Sequence, residues 1–315
     1  MKKKKYIQKL KGDASFRKFY RKKNKDKNSI IVYAQKEKRK NLLIYDSINR
    51  VLNKNKILAP KLYKENYKKN YIEIEDFGDD TIFKVFTKKK YLRFKYYKRI
   101  IKLLIKIQLI KDKKIKNFRK KNYVIPKYEK KILIKEASLF CDWYIKKYLT
   151  KKNRDKFRRK FMIIIKEITL NLKLKNNIFV HRDFHISNLM ISQNKIGVID
   201  SQDALIGNKA YDLASLIDDV RFKTSKVLKN KIYMSFINKQ KKFDKDNFKN
   251  DFEILSVLRN LKIIGIFSRL AERDGKRKYL KMIPYAWELI DLRIKKNEIF
   301  QDLKNLLDEN FKKNK

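Results

Sequence analysis

The stretch from Asn177 to Asp200 constrains the fold more than any other part of this chain. Flanking segments repeat their apolar residues at helical intervals. Here the apolar residues come instead as two short runs, Leu189–Ile191 and Ile196–Ile199, parted by Ser192-Gln193-Asn194-Lys195. Short apolar runs split by a polar turn spell a β-hairpin. Pairing about residue 194 sets Asn188 opposite Asp200 at the open end, and cross-strand neighbours lie about 5 Å apart. An amide oxygen and a carboxylate at that spacing can grip one hard cation. Magnesium suits such a site, because it takes a few protein oxygens and completes its shell with water and phosphates. Asp183, five residues ahead of Asn188, falls on the loop that enters the hairpin. An acid, an amide and a second acid at these offsets meet the needs of phosphoryl transfer, where one group orients the acceptor hydroxyl and the others hold the metal.

Ahead of this hairpin the chain changes character once. Apolar and β-branched residues recur in Tyr6–Leu10, Phe16–Tyr20, Ser29–Ala34, Ile57–Tyr63 and Tyr71–Ile74, which reads as strands. The polar stretch Lys22–Asn28 reads as a turn, and Glu37–Asn53 keeps helical spacing through Leu43, Ile44, Ile48, Val51 and Leu52. Past Gly78 helices take over. In Tyr91–Ile110 the residues Ile100, Leu103, Leu104, Ile107 and Ile110 share a face, with Lys95, Lys98, Lys102 and Lys106 opposite. A second long helix is expected from Pro126 to about Leu149, and others over 155–172, 212–222 and from 245 to the end. The expected organisation is α+β and two-lobed: a small β-rich N-lobe with one helix, 1–77, and a large mainly helical C-lobe, 78–315. Without a repeat or a low-complexity linker, Glu75–Asp80 reads as a hinge between packed lobes.

Composition narrows the function classes. A 43% apolar content fills a sizeable core, and the single cysteine, Cys141, excludes an internal disulfide framework and points to a reducing, cytoplasmic setting. The basic start MKKKKYIQKLKG has no apolar stretch behind it, so it is not a secretory signal, and no apolar run approaches a membrane span. Lys and Arg total 85 against 34 acidic residues, a formal +51. That charge would attract nucleic acid non-specifically. It is spread along the whole chain beside abundant Ile, Asn, Tyr and Phe, which reads as the codon bias of an AT-rich genome, so no specific nucleic-acid partner is expected. The six glycines, no two closer than ten residues, cannot write a Walker A loop or a Rossmann fingerprint.

His181-Arg182-Asp183 with Asn188 resembles the catalytic loop of the protein-kinase superfamily. The continuation Ile199-Asp200-Ser201-Gln202-Asp203, running on to Tyr211-Asp212, is unlike the Asp-Phe-Gly segment of a protein kinase. It is similar to the aminoglycoside phosphotransferase and choline kinase group, and more closely resembles bacterial kinases that act on the anomeric hydroxyl of N-acetylmuramate and N-acetylglucosamine. Gly12–Arg17, Ile74–Gly78 and Leu261–Lys276 agree and follow in the right order. The resemblance implies a protein-kinase-like fold, ATP and Mg2+ as cofactors, a small-molecule sugar substrate and a monomer serving cell-wall sugar salvage. It implies that Asp183 is the catalytic aspartate and that Asn188 and Asp200 are metal ligands. Gly12, Asp13, Ser15 and Phe16 would cover the ATP phosphates, and the backbone of Glu75 and Phe77 would meet adenine. His181 and Asp212 would brace the loop. Possible substrate contacts are His185, Asp203, Trp143 and Arg259.

Plainer readings stand beside these. Trp143 and Glu136 sit at helical spacing, where an aromatic residue is more often core. Asp203 and Asp212 serve equally as turn and cap residues. His181-x-Asp183-x-His185 offers zinc three ligands but no fourth from another histidine or a nearby cysteine. The chain also departs from the kinase pattern. Ser29–Ala34 carries no third-strand lysine, which the amino-sugar kinases it resembles often lack too and for which Lys36 or Arg17 could substitute, and Ser201 stands where the family usually has an aromatic. The rival readings are a kinase of another small alcohol, such as an aminoglycoside or choline, and a nucleic-acid-binding protein on a degenerate kinase scaffold.

Overall fold

The N-terminal strands β1 (Tyr6–Leu10), β2 (Lys18–Lys23), β3 (Ser29–Tyr33), β4 (Leu62–Asn66) and β5 (Tyr71–Glu75) form one antiparallel sheet in the order β1-β2-β3-β5-β4. The structure, a computed structural model, describes residues 6–10, 16–24, 27–241, 243–295 and 297–311. Strand alternation decides which side chains become core. Ile72 and Ile74 of β5 join Val32, Ala34, Leu42 and Tyr45 in an apolar cluster, where each large aliphatic contributes about 1.5–3 kcal/mol. Glu73, between them, faces the other way and accepts from Lys22 Nζ at 2.7 Å and Ser29 Oγ at 2.6 Å. Leu42 and Tyr45 come from the one helix of this region, α1 (Lys40–Lys54). The fourth strand starts at Leu62, not Ile57 as expected. Pro60 has no N–H to give a ladder, and Ile57 and Ala59 are buried in the connection instead.

Beyond the sheet, α2 (Ile82–Lys88) starts at Thr81, whose hydroxyl caps Lys84 N at 3.1 Å. Helix α3 (Arg93–Gln108) buries Tyr97, Ile100, Ile101, Leu104 and Ile107 and exposes Lys95, Lys98, Lys102 and Lys106, as its periodicity predicts. A small unforeseen hairpin, β6 (Lys114–Lys116) and β7 (Asn122–Val124), follows. The chain divides into two compact units, Met1–Pro126 with His181–Ile206, and Lys127–Val180 with Gly207–Lys315. A cut at 77/78 falls inside the first unit, where the hairpin after residue 188 is stitched to the residues just past β5. Ile191 N donates to Asp80 O at 2.8 Å, Thr81 bridges Met190, and Arg99 donates to Asn194 O at 2.6 Å.

The second unit is mainly helical: α4 (Lys130–Ala137), α5 (Lys151–Leu170), α6 (Tyr211–Ile217), α7 (Lys226–Ile237), α8 (Lys245–Glu272), α9 (Ile283–Ile294) and α10 (Gln301–Phe311), with the short β8 (Ile178–Val180) between α5 and the loop of interest. The single helix expected from Pro126 to Leu149 is not continuous. After Ala137 the chain widens into an i→i+5 turn over Phe140–Tyr144. At that place Gly265 of α8 meets the backbone directly, since a Cβ there would lie 2.3 Å from Leu139 C and 2.4 Å from its oxygen. The helix expected from 245 to the end is likewise broken, at Gly275 (φ +65°) and by Pro284 in the first turn of α9. An aromatic core of Phe140, Tyr144, Phe157, Phe161, Trp287 and Phe311 fills this unit, with Trp287 Nε1 donating to Tyr144 Oη at 3.0 Å.

Candidate active site

The loop after β8 turns sharply because Arg182 takes φ +76°, a left-handed conformation uncommon outside glycine. The turn leaves the carbonyl of Asp183 as an acceptor for His185 N and for Asn188 Nδ2, both at 3.0 Å. The amide nitrogen of Asn188 also lies 3.3 Å from His185 Nε2. With Nδ2 turned toward these neighbours, Oδ1 is the side of the amide that a cation can use. His181 is fully buried, and its Nε2 lies 3.1 Å from the carbonyl oxygen of Ile199. A carbonyl only accepts, so the ring proton sits on Nε2. Burial pushes the His181 pKa below its ordinary 6.5, which keeps the ring neutral and the loop tied to the far strand of the hairpin.

That hairpin consists of β9 (Leu189–Ser192) and β10 (Lys195–Val198), with Val198 opposite Leu189 and Lys195 opposite Ser192. The register corrects the expected pairing by one residue: Asn188 faces Ile199, whose N–H it receives at 3.0 Å, and Asp200 lies one position further on. A one-residue slip normally sends a side chain to the opposite face. Asp200 leaves the strand in the left-handed region, at φ 62° and ψ 40°.

Arg17 holds Asp200 from behind. Its Nη2 donates to Asp200 Oδ1 and its Nη1 to Gln202 Oε1 at 2.9 Å, while its guanidinium lies 5.4 Å from the ring centres of both Phe19 and Tyr45. Burial, the larger effect, and the charge of Asp200 push the Tyr45 hydroxyl up to about 12, against the lowering pull of Arg17. Next in sequence, Ser201 donates to Asn49 Oδ1 at 2.6 Å, and Asn49 Nδ2 donates to Pro60 O at 3.1 Å. The small residue at position 201 thus ties the Asp200 turn to α1. Asp203 accepts from Gln202 Nε2 at 3.0 Å and lies 3.8 Å from Arg182 Nη1. Among the described residues no group of three or more His, Cys, Asp and Glu side chains could hold a metal ion. A metal reading therefore rests on the amide and carboxylate of Asn188 and Asp200, hard oxygen donors of the kind magnesium takes.

Glu75 ends β5, with its backbone N bonded to Lys61 O at 2.8 Å. The Phe77 ring packs on Gly197, where an added Cβ would meet Phe77 Cε2 at 2.7 Å. Arg21 of β2 clamps the segment between them and α2. It donates through Nε and Nη2 to Asp76 at 2.6 and 3.1 Å, through Nη1 to Asp79 at 2.9 Å, and to Gly78 O at 3.0 Å. Nothing in the sequence alone singled out this arginine. The expected phosphate-covering residues Gly12, Asp13 and Ser15 lie outside the described residues. Phe16 is exposed, with Lys38 Nζ 5.0 Å from its ring centre.

The other expected residues belong to the second unit. Trp143 is half-buried beside Lys146 and borders an open cavity of about 570 Å³ lined also by Cys141, Asp142, Arg154 and Arg158. Arg259 is buried in the middle of α8, and Asp212 is buried in the first turn of α6. Glu136 is held by Tyr128 Oη and by Lys262 Nζ, the latter at 2.9 Å.

A sheet with one helix, a mainly helical remainder and a loop aspartate ahead of an amide–carboxylate hairpin define a kinase-like phosphotransferase fold. The chain belongs to the APH phosphotransferase enzyme family, which it matches over residues 7–231. It is 34% identical over 167 residues to an N-acetylmuramate/N-acetylglucosamine kinase of Neisseria meningitidis serogroup B, covering 51% of this chain and 50% of that protein. It is 24% identical over 306 residues to a Pseudomonas putida protein of the same name, covering 95% and 86%. The chain thus spans about half the length of the first of these relatives and most of the second. Among solved structures, a Plasmodium vivax ethanolamine kinase superposes with a TM-score of 0.61 at 15% identity, over 93% of this chain and 84% of that one. A spectinomycin phosphotransferase in complex with ADP and spectinomycin superposes at 0.57 and 14%, over 90% and 92%. The fold is that of the protein-kinase-like phosphotransferases. No helix among the described residues is long and apolar enough to cross a membrane.

Proposed function

We propose that this chain transfers the γ-phosphoryl group of ATP to the anomeric hydroxyl of N-acetylmuramate or N-acetylglucosamine, in salvage of cell-wall sugars. The observation that carries the reading is the loop–hairpin arrangement, in which Asn188 Nδ2 bonds the Asp183 carbonyl while Asp200 turns out of the neighbouring strand. Asn188 Oδ1 and the Asp200 carboxylate would hold magnesium, which supplies charge to offset that on the phosphoryl group in flight. The Asp183 carboxylate would orient the acceptor hydroxyl and take its proton as the oxygen bonds to phosphorus and ADP departs. An anomeric hydroxyl is more acidic than an ordinary alcohol, so a carboxylate is a sufficient base for it. His181 and Asn188 fix the loop that carries Asp183, and the backbone from Glu75 to Phe77 would meet the adenine. The acceptor is assigned on the names of the two relatives.

The test is ADP release from MgATP with N-acetylmuramate, N-acetylglucosamine, choline and an aminoglycoside in parallel. Turnover is expected with the amino sugars, with a sugar 1-phosphate as product. Asp183→Asn should lower kcat by about 10²–10⁴-fold, the size of a general-base contribution, with MgADP affinity kept. Turnover confined to choline or the aminoglycoside would overturn the acceptor, and an active Asp183→Asn enzyme would overturn the role of the aspartate.

A further inference from the structure

Protein kinases carry on the third strand of their nucleotide-binding sheet a lysine that meets the α- and β-phosphates, and β3 here reads Ser29-Ile-Ile-Val-Tyr33. Lys36, one replacement open from the sequence, is exposed on a short helical turn after β3. Arg17 is placed very differently. Its side chain is 3% exposed, whereas that of Asp200, which it contacts, is 40% exposed. The carboxylate therefore has an open face, and the arginine reaches it from the protein side, between Phe19 and Tyr45. Burying a guanidinium is costly unless anions and acceptors engage it, and aromatic walls keep this one aimed in a single direction.

Resting on the kinase reading above, we propose that Arg17 is the phosphate-binding cation of this chain, its guanidinium shared between Asp200 and the phosphate oxygens of the nucleotide. Neighbouring oxygens on one magnesium ion, each about 2 Å from it, would lie about 3 Å apart. A phosphate oxygen next to Asp200 on that ion would therefore lie within a side-chain adjustment of a donor bonded to Asp200. Five N–H groups in a planar fork allow a carboxylate and a phosphate to be held together, which the point charge of a lysine does less well. Gln202, on Nη1 at 2.9 Å, fixes the plane of the fork.

Calorimetric titration with MgADP and, separately, with adenosine tests the assignment, because adenosine has the base and sugar without the phosphates. Arg17→Gln is expected to weaken MgADP at least about tenfold, or about 1.4 kcal/mol, with adenosine affinity unaltered. Arg17→Lys should regain part of the loss, and Lys36→Gln should change neither ligand. Arg17→Met, which keeps the stem between the two rings, repeats the comparison should Arg17→Gln fail to fold. Equal losses for ADP and adenosine would assign Arg17 a structural role and overturn the proposal. So would wild-type MgADP affinity in the neutral variants, or a selective ADP loss in Lys36→Gln. A wild-type chain that binds no MgADP would overturn the kinase reading itself, a result distinct from all of these.

Discussion

Two atoms set the orientation of the Asn188 amide: the carbonyl oxygen of Asp183 and Nε2 of His185, both near Nδ2. An aspartate at position 188 would set an acceptor against that carbonyl. The extra charge, nominally helpful to a cation, would come at the expense of the loop. Close packing is equally local at Gly197. Its missing side chain is what lets the Phe77 ring lie against β10, with the ring carbon Cε2 2.7 Å from where a Cβ would sit. Gly197→Ala must displace that ring, and urea unfolding should show a loss of about 1–3 kcal/mol, as for other overpacked sites. A variant as stable as the parent would mean that the ring relocates freely and does not position residues 76–79.

Among elements, the link between the sheet and the first helix beyond it depends on one side chain. Arg21 bonds two carboxylates and a carbonyl across residues 76–79, so replacing it strands several groups at once. Arg21→Gln is expected to cost about 1.5–3 kcal/mol, the range for hydrogen bonds to charged groups, and to speed hydrogen exchange at Gly78 and Thr81. Unchanged exchange there would show the segment to be held by its backbone alone. In the second unit, α8 touches the wide turn over Phe140–Tyr144 with no side chain between them. Gly265→Ala would push a methyl into backbone atoms that cannot rotate away. Its expected cost exceeds that of Gly197→Ala and lies above about 3 kcal/mol, read from the same denaturation curves.

Across the whole molecule two electrostatic effects separate by condition. The formal +51 makes the folded chain repel itself, and salt screens this over a Debye length that falls from about 30 Å at 0.01 M to about 8 Å at 0.15 M. Thermal stability should therefore rise with added sodium chloride, and a flat salt response would show that local pairs already neutralise the surface. Acid acts through Asp218, fully buried and bonded to Lys229, Arg293 and Ser256 at 2.6–3.0 Å. Burial alone would raise its pKa, but the two cations and the hydrogen bonds hold it well below the ordinary 3.8. A carboxylate depressed in this way stabilises the fold above its unfolded pKa, and that contribution is lost as pH drops below about 4. Asp218→Asn should lose about 3–5 kcal/mol at pH 7, as when one partner of a buried pair is removed. The parent and the variant should converge in stability as pH falls, and parallel curves would remove Asp218 from the account.

Local patterning alone fixed which segments could be strands or amphipathic helices. Tyr71–Ile74 and the buried stripe of α3 were legible because the apolar residues of each repeat at its own period. The hairpin of β9 and β10 was legible from its two short apolar runs and the polar turn between them, though not its register. Sequence could not show the left-handed turn at Asp200, the register one residue off, or the break after Ala137. It left Arg17 as one of two lysine substitutes and gave no sign of Arg21 as a clamp. Those features depend on what lies across from each residue once distant segments meet, and such contacts leave no period in the chain.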